Sequence, residues 1–285
     1  METFRQLTRK LSSVYPDGEA IAMARWVMED GFGLTMTDLM LDKDNDLSSV
    51  QRQELQIIAD RLLRKEPIQY VLGSTWFCGL RIHVEPGVLI PRPETEELVA
   101  WVCADRPAEG RGKQKVLDVG TGSGCIALAL ASEGFAVEAC DVSPEALRIA
   151  RRNASDLSLE VGFFEKDILQ DEVRECPSDP YDVIVSNPPY ICQREAEEME
   201  SHVLDHEPHL ALFVPDDDPL LFYRHIARYA TTHLSPQGAL YFEINRAYGE
   251  EVCEMLRQMG FRDVELRSDQ FGNSRMVRAL NLKTS

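Results

Sequence analysis

The chain has 285 residues, 44% of them hydrophobic and 27% charged, which suits a globular protein with a large core and room for two domains. A net charge of −18 opposes non-specific binding to phosphate backbones, which takes Lys and Arg. The start lacks a basic stretch followed by a long apolar run, and no window of about 18 apolar residues occurs. Neither a signal peptide nor a transmembrane helix is predicted.

The seven cysteines are scattered and odd in number, and no two form a C-x-x-C pair. They predict reduced thiols in a cytoplasmic protein, with no disulfide framework and no zinc site. His202, His206 and His209 recur at helical spacing, but Pro208 interrupts them and no fourth ligand comes after, so no metal is expected.

Residues 1–73 read as a small helical domain of three or four helices. Phe4, Leu7, Leu11 and Val14-Tyr15 recur at helix spacing. Asp17 is expected to cap a second helix with Ile21, Ala24, Val27 and Met28 on one face, stopped by Gly31 and Gly33. Ser48 and Gln51 fit a capping box ahead of Leu55, Ile58, Leu62 and Leu63. Nothing in this region looks catalytic, and contact with a partner or with the second domain is its expected task.

Residues 74–93 form a bridge. Thr75-Trp76-Phe77 and Leu80 to Val84 flank Cys78-Gly79 as a β-hairpin, and Pro86, Pro91 and Pro93 stiffen the passage after it. Residues 94–285 make the third segment. It begins with a helix over 94–104 and a polar loop over 105–114. From Lys115 strands and helices alternate. Strands are predicted at 115–119, 136–141, 159–164, 181–186, 239–244, 261–267 and 275–281. Helices are predicted near 124–133, 144–155, 195–201, 218–233 and 247–259. The fold class is therefore α/β: a doubly wound, mostly parallel sheet of seven strands, whose last two strands pair antiparallel at the edge.

Two stretches carry chemistry. The first runs from the strand Val116-Leu117-Asp118-Val119 into Gly120-Thr121-Gly122-Ser123-Gly124 and then a helix. Glycines let a ligand approach the backbone, and the helix start offers free N–H groups. The spacing is G-x-G-x-G, and Cys125 stands where a dinucleotide site needs glycine, which argues against NAD. No Lys-Ser or Lys-Thr comes next, so it is not a P-loop. Asp141 closes the next strand, where a carboxylate can take the hydroxyls of a ribose. Asp118 is placed to meet an ammonium group. Asp167 can accept from an adenine amino group, and Ile168 can pack on its ring. A ribose, an amino-acid end and no polyphosphate describe S-adenosyl-L-methionine.

The second stretch is Asn187-Pro188-Pro189-Tyr190, after the apolar strand ending at Ser186. The prolines fix their own φ angles and push Asn187 out of the helical region. The rigid corner that results offers the Asn187 side-chain oxygen and the Pro188 carbonyl as acceptors for one planar NH2 group. Asn187 and Pro188 are the predicted catalytic residues, and Asn187, Pro188, Pro189 and Tyr190 the predicted substrate site, with Tyr190 walling the acceptor. Gly120, Thr121, Gly122, Ser123, Gly124, Asp141, Ile168 and Asn187 are the predicted cofactor site. Glu243, at the end of the fifth strand, reads as a buried edge acid rather than a wall of the site.

The pair of motifs resembles class I methyltransferases that act on exocyclic or amide NH2 groups, among which are adenine-specific DNA or RNA enzymes and protein glutamine enzymes. Glu66-Pro67-Ile68-Gln69-Tyr70-Val71-Leu72-Gly73, Ile90-Pro91-Arg92-Pro93-Glu94-Thr95-Glu96, Glu207-Pro208 with Ala211-Leu212, and Phe271-Gly272-Asn273-Ser274-Arg275 are similar to the release factor glutamine methyltransferase family over essentially the whole chain. The resemblance implies methylation of the glutamine in the Gly-Gly-Gln loop of bacterial peptide chain release factors. It implies a helical domain that docks them, and Arg92 to Thr95 near the site mouth. Direct contact with nucleic acid or with a membrane is not expected, and a monomer is. Ile168 departs from the aromatic residue that family members often carry there.

Overall fold

The computed structural model describes residues 3–106, 113–170, 179–198 and 201–281. The chain divides into two compact units, Met1–Thr75 with Glu200–His206, and Trp76–Met199 with Glu207–Ser285.

The first unit opens with α1 (Phe4–Leu11), which buries Leu7 and Leu11. In α2 (Asp17–Trp26) the cap is Pro16, and Asp17 is the first helical residue, with no capping hydrogen bond from a side chain. An acid there still complements the helix dipole. The buried stripe is Ala20, Met23 and Ala24, continued by Val27 and Met28 in the π-helical turn Val27–Gly31. Ile21, expected on that face, lies one residue off the stripe and is exposed. The Gly33 N–H bonds the Glu29 carbonyl and the Leu34 N–H the Met28 carbonyl, so Gly33, at φ +68, ends the helix in a left-handed turn. α3 (Met36–Met40) is capped by Thr35 and Asp38 in a reciprocal box. α4 (Ser49–Leu63) has the expected Ser48–Gln51 box and buries Leu55, Ile58 and Leu62. Arg61 pairs with Glu66 and donates to the Tyr70 and Val71 carbonyls, which ties α5 (Ile68–Leu72) to α4. Residues 3–73 thus hold five α-helices rather than three or four. The two additional ones span five residues each, too short to show a helical period.

β1 (Ser74–Phe77) and β2 (Leu80–His83) form the expected ribbon. Cys78 and Gly79 both take positive φ, 48° and 75°, as a two-residue hairpin turn of matching twist requires.

In the second unit α6 (Pro93–Asp105) begins with a proline at its first position. The polar loop predicted over 105–114 lies largely outside the described residues. Then come β3 (Lys115–Val119), α7 (Cys125–Ser132), β4 (Ala136–Asp141), α8 (Pro144–Leu157), β5 (Val161–Glu165), β6 (Tyr181–Ser186) and β7 (Ile191–Cys192). The helix predicted at 195–201 is a 3-10 turn over Gln193–Glu198. The Glu195 carboxylate accepts from the Cys192 N–H and from Asn245 Nδ2, which holds that turn short. α9 (Ser201–His206) groups with the first unit. The remaining elements are α10 (His209–Leu212), β8 (Phe213–Val214), α11 (Leu221–His233), β9 (Leu234–Glu243), α12 (Gly249–Gln258), β10 (Arg262–Ser268) and β11 (Ser274–Leu280). β9 starts five residues before the predicted position, directly from α11.

Seven strands pair in the order β10-β11-β9-β6-β3-β4-β5, with β10 and β11 antiparallel at one edge. β3 is the pivot. The chain winds from it through β4 to β5, then crosses back to β6 on its other side. β3 and β6 run parallel, with Val119 level with Ser186, and the Ser186 hydroxyl donates to the Val119 carbonyl at 2.6 Å. The strand order therefore reverses between these two carboxyl ends, where open α/β sheets bind ligands. Both strands are almost wholly buried, as parallel strands covered by helices on two faces must be.

Candidate active site

The turn after β3 is built on three glycines with positive φ: Gly120 (+73°), Gly122 (+54°) and Gly124 (+83°). The Gly120 and Thr121 N–H groups donate to the Cys140 carbonyl, which fastens the turn to the end of β4. At Gly120 and Gly122 an added Cβ meets nothing within 4 Å, so the space beside both is open. At Gly124 it would lie 3.1 Å from Ala150 Cβ, and the missing side chain there lets α7 lie close against α8. Asp141, at the end of β4, accepts from the Gly122 N–H and the Ser143 N–H, each at 2.9 Å. Burial raises its pKa, against the pull of those two donors.

Asn187 comes directly after β6. Its Nδ2 donates to Thr95 Oγ1 (3.2 Å), and the Thr95 hydroxyl donates to Glu243 Oε2 (2.6 Å). The Tyr190 hydroxyl donates to the other oxygen of Glu243 (3.0 Å). Glu243 is buried at the end of β9, and desolvation raises its pKa, opposed by Thr95, Tyr190 and the charge of Arg275.

Gly120, Thr121, Gly122, Ser123, Asp141, Ile168, Asn187, Pro188 and Pro189, all predicted from sequence, line one cavity of about 310 Å³. Asp167 and Arg92 line it too. Gly124 and Asp118 do not, because Gly124 is packed against α8 and Asp118 is buried beneath the turn. Tyr190, expected to wall the acceptor, is also absent from the lining. Its hydroxyl turns to Glu243, and its ring packs on the main core. Sequence reading missed Phe222 and Ile226 of α11, which reach the cavity. Their i, i+4 spacing was a signal, but one shared with any core helix. Glu207, which the sequence marks only as part of a family-like motif, is buried. It accepts from Arg92 Nη2 (2.5 Å) and from the Ile90 N–H (3.1 Å), holding residues 90–92 beside the cavity. Among the described residues no group of three His, Cys, Asp or Glu is placed to hold a metal. The His202 side chain and Cys176 lie outside the described residues. The other six cysteines are free.

Two family models match the chain. That of the PrmC N-terminal domain covers residues 2–73, and that of the methyltransferase small domain residues 105–207. A release factor glutamine methyltransferase from Bacteroides thetaiotaomicron is 44% identical over 96% of this chain and 97% of its own. One from Flavobacterium psychrophilum is 42% identical over 96% of both, and one from Streptococcus pneumoniae 39% identical over 91% of both. The chain belongs to the release factor glutamine methyltransferase family.

Solved structures share the fold over nearly three quarters of the chain. The T. thermophilus 16S rRNA N2 G1207 methyltransferase, in complex with AdoMet and guanosine, has a TM-score of 0.52 at 18% identity, over 73% of this chain and 49% of its own. The METTL16 methyltransferase domain has a TM-score of 0.53 at 18% identity, over 72% and 90%.

The cavity of this release factor glutamine methyltransferase family member fits the methyl donor, S-adenosyl-L-methionine. The open faces of Gly120 and Gly122 admit a ligand to the backbone, the Asp141 carboxylate suits ribose hydroxyls, and Asp167 with Ile168 offers an acceptor beside an apolar side chain. Ile168 is buried and lines the cavity, so the apolar side chain beside Asp167 is aliphatic.

Asp118 has a measurable consequence of its own. It is fully buried and accepts from the Thr121 hydroxyl at 2.6 Å, while its Oδ1 has no hydrogen-bond partner among the described residues. Desolvation pushes its pKa up to about 7. Between about pH 4 and 7 the folded chain therefore keeps a proton that the unfolded chain has released, and stability falls as pH rises through that window. Asp118→Asn removes this loss. In urea titrations the variant is expected to gain on the parent protein, by an amount on the order of a few kcal/mol, between about pH 4 and 8. A difference that stays constant across that range overturns the assignment.

Proposed function

We propose that this protein transfers the methyl group of S-adenosyl-L-methionine to the side-chain amide nitrogen of the glutamine in the Gly-Gly-Gln motif of bacterial peptide chain release factors. The observation that carries this reading is the corner at Asn187-Pro188, which lines the same cavity as Gly120 to Ser123 and Asp141. The cofactor supplies a methyl group on a positively charged sulfur. The protein's part is to hold an amide nitrogen in line with it. An amide lone pair is delocalised, so the nitrogen is a poor nucleophile. The Asn187 side-chain oxygen and the Pro188 carbonyl take its two N–H groups, which fixes its orientation and favours the positive charge that develops on it. The methylated nitrogen is acidic and gives up its proton without a strong base.

Asn187 and Pro188 are thus the catalytic residues. Asn187 to Pro189 receive the glutamine, while Tyr190 supports the corner through Glu243. Gly120 to Ser123, Asp141, Ile168 and the main chain at Asn187 hold the cofactor, and Gly124 closes the turn against α8. The helical residues 1–73 dock the release factor, residues 74–93 bridge, and residues 94–285 carry the chemistry. The protein acts as a monomer in the cytoplasm and binds neither nucleic acid nor membrane; free thiols, the −18 charge and the absence, among the described residues, of a helix long and apolar enough to cross a membrane support the location and the partners excluded. Incubation of the full chain with methyl-labelled cofactor, a purified release factor and duplex DNA tests the reading. Label is expected on the release factor, and label on the DNA alone would favour the adenine-modifying alternative and sink this one.

A further inference from the structure

The Asn187 amide can present either its oxygen or its NH2 to the cavity, and the two choices select opposite substrates. We infer that Glu243 and Thr95 are positioning residues that lock Asn187 with its oxygen toward the acceptor, and so make the site select a carboxamide over a carboxylate. The inference rests on the proposed glutamine chemistry and deepens it.

Glu243 is buried, and its two oxygens accept from two hydroxyls, Thr95 at 2.6 Å and Tyr190 at 3.0 Å. A hydroxyl has one proton to donate. Once the Thr95 proton is committed to Glu243, only lone pairs remain on Thr95 Oγ1. The group facing it must be a donor, and Asn187 Nδ2 is there at 3.2 Å. A flipped amide would set oxygen against oxygen beside the buried Thr95, which costs an unmade hydrogen bond. Asn187 Oδ1 is therefore the end left for an incoming group. Together with the Pro188 carbonyl it makes a pair of acceptors with no donor. A carboxamide brings two N–H groups and satisfies both. A carboxylate brings only lone pairs and negative charge, and is refused.

Three elements meet to do this. Thr95 sits in the first turn of α6, where its N–H bonds the Arg92 carbonyl, Asn187 comes after β6, and Glu243 ends β9. None of Thr95, Glu243 or Tyr190 needs to touch the reacting atoms for the relay to work.

Thr95→Val keeps the volume and removes the hydroxyl, while Thr95→Ser keeps the hydroxyl. Two measurements separate this inference from the function on which it rests. The first needs no substrate. The side-chain NH2 signals of Asn187, identified by their loss in Asn187→Ala, are expected to exchange with solvent about tenfold more slowly in the parent protein and in Thr95→Ser than in Thr95→Val. The second compares two release factor peptides that differ only by glutamine or glutamate at the acceptor position, bound in the presence of S-adenosylhomocysteine. The parent protein and Thr95→Ser are expected to prefer glutamine by about 10²-fold or more, and Thr95→Val by about tenfold less than that. Unchanged exchange in Thr95→Val, or equal loss of discrimination in Val and Ser, overturns the relay. Failure of the parent protein to bind the glutamine peptide while the exchange pattern holds overturns the glutamine reading and leaves the locked amide established.

Discussion

Asn187→Ala is expected to lower turnover about 10²–10³-fold while leaving the dissociation constant of S-adenosyl-L-methionine within about twofold. The substitution removes one of the two acceptors proposed to orient the substrate nitrogen. Positioning and preorganised charge are the contributions proposed for this corner, and removal of a single preorganised hydrogen-bond partner of that kind typically costs two to three orders of magnitude. The fold should survive, because the side-chain bond that Asn187 makes to Thr95 is a neutral one at 3.2 Å, worth about 1 kcal/mol. Single-turnover rates at saturating cofactor, set beside calorimetric cofactor affinity, check this directly. Loss of cofactor binding with unchanged turnover per bound cofactor would contradict the role given to Asn187.

Asp141→Asn should show the opposite pattern. Its carboxylate already accepts from the Gly122 and Ser143 N–H groups, which fixes it at the end of β4 and fixes the glycine turn to it. Its remaining lone pairs suit two hydroxyls of a ribose. Charge-assisted hydrogen bonds are worth about 1.5–3 kcal/mol each, so an amide with one oxygen should weaken S-adenosylhomocysteine binding about 10²-fold or more. Because the acceptor corner is untouched, turnover at saturating cofactor should fall far less. Titration calorimetry with the product cofactor measures the first quantity. An affinity within about threefold of the parent protein would remove Asp141 from the binding site.

Much of this site was legible in the chain itself because its parts are local. A glycine turn, an acid about twenty residues later and an Asn-Pro-Pro-Tyr corner each sit at the end of a strand whose apolar run marks it. The strand order, which the sequence did not specify, then brings β3 and β6 side by side within the expected doubly wound sheet. What escaped is what depends on distant pairs. Thr95 reaches Asn187 across 92 residues and Glu243 across 148. No periodicity announces such a contact, so Glu243 read correctly as a buried edge acid, but its hydrogen bonds to Thr95 and Tyr190 did not show. Tyr190 went astray for the same reason, since the partner that turns it away from the cavity lies 53 residues further on. In the helical part the long helices were plain, but α3 and α5 are single short turns fixed by a capping box and by Arg61, and the π turn after Trp26 has no sequence period of its own.

In the proposed reaction the corner at Asn187 holds a protein amide for methylation. Tandem mass spectrometry of a release factor treated with this protein and isotope-labelled S-adenosyl-L-methionine tests it most directly. One labelled methyl group on the side-chain nitrogen of the Gly-Gly-Gln glutamine, missing when Asn187→Ala replaces the parent protein, is the expected result. A release factor that stays unlabelled, or label on any other residue, would contradict the account.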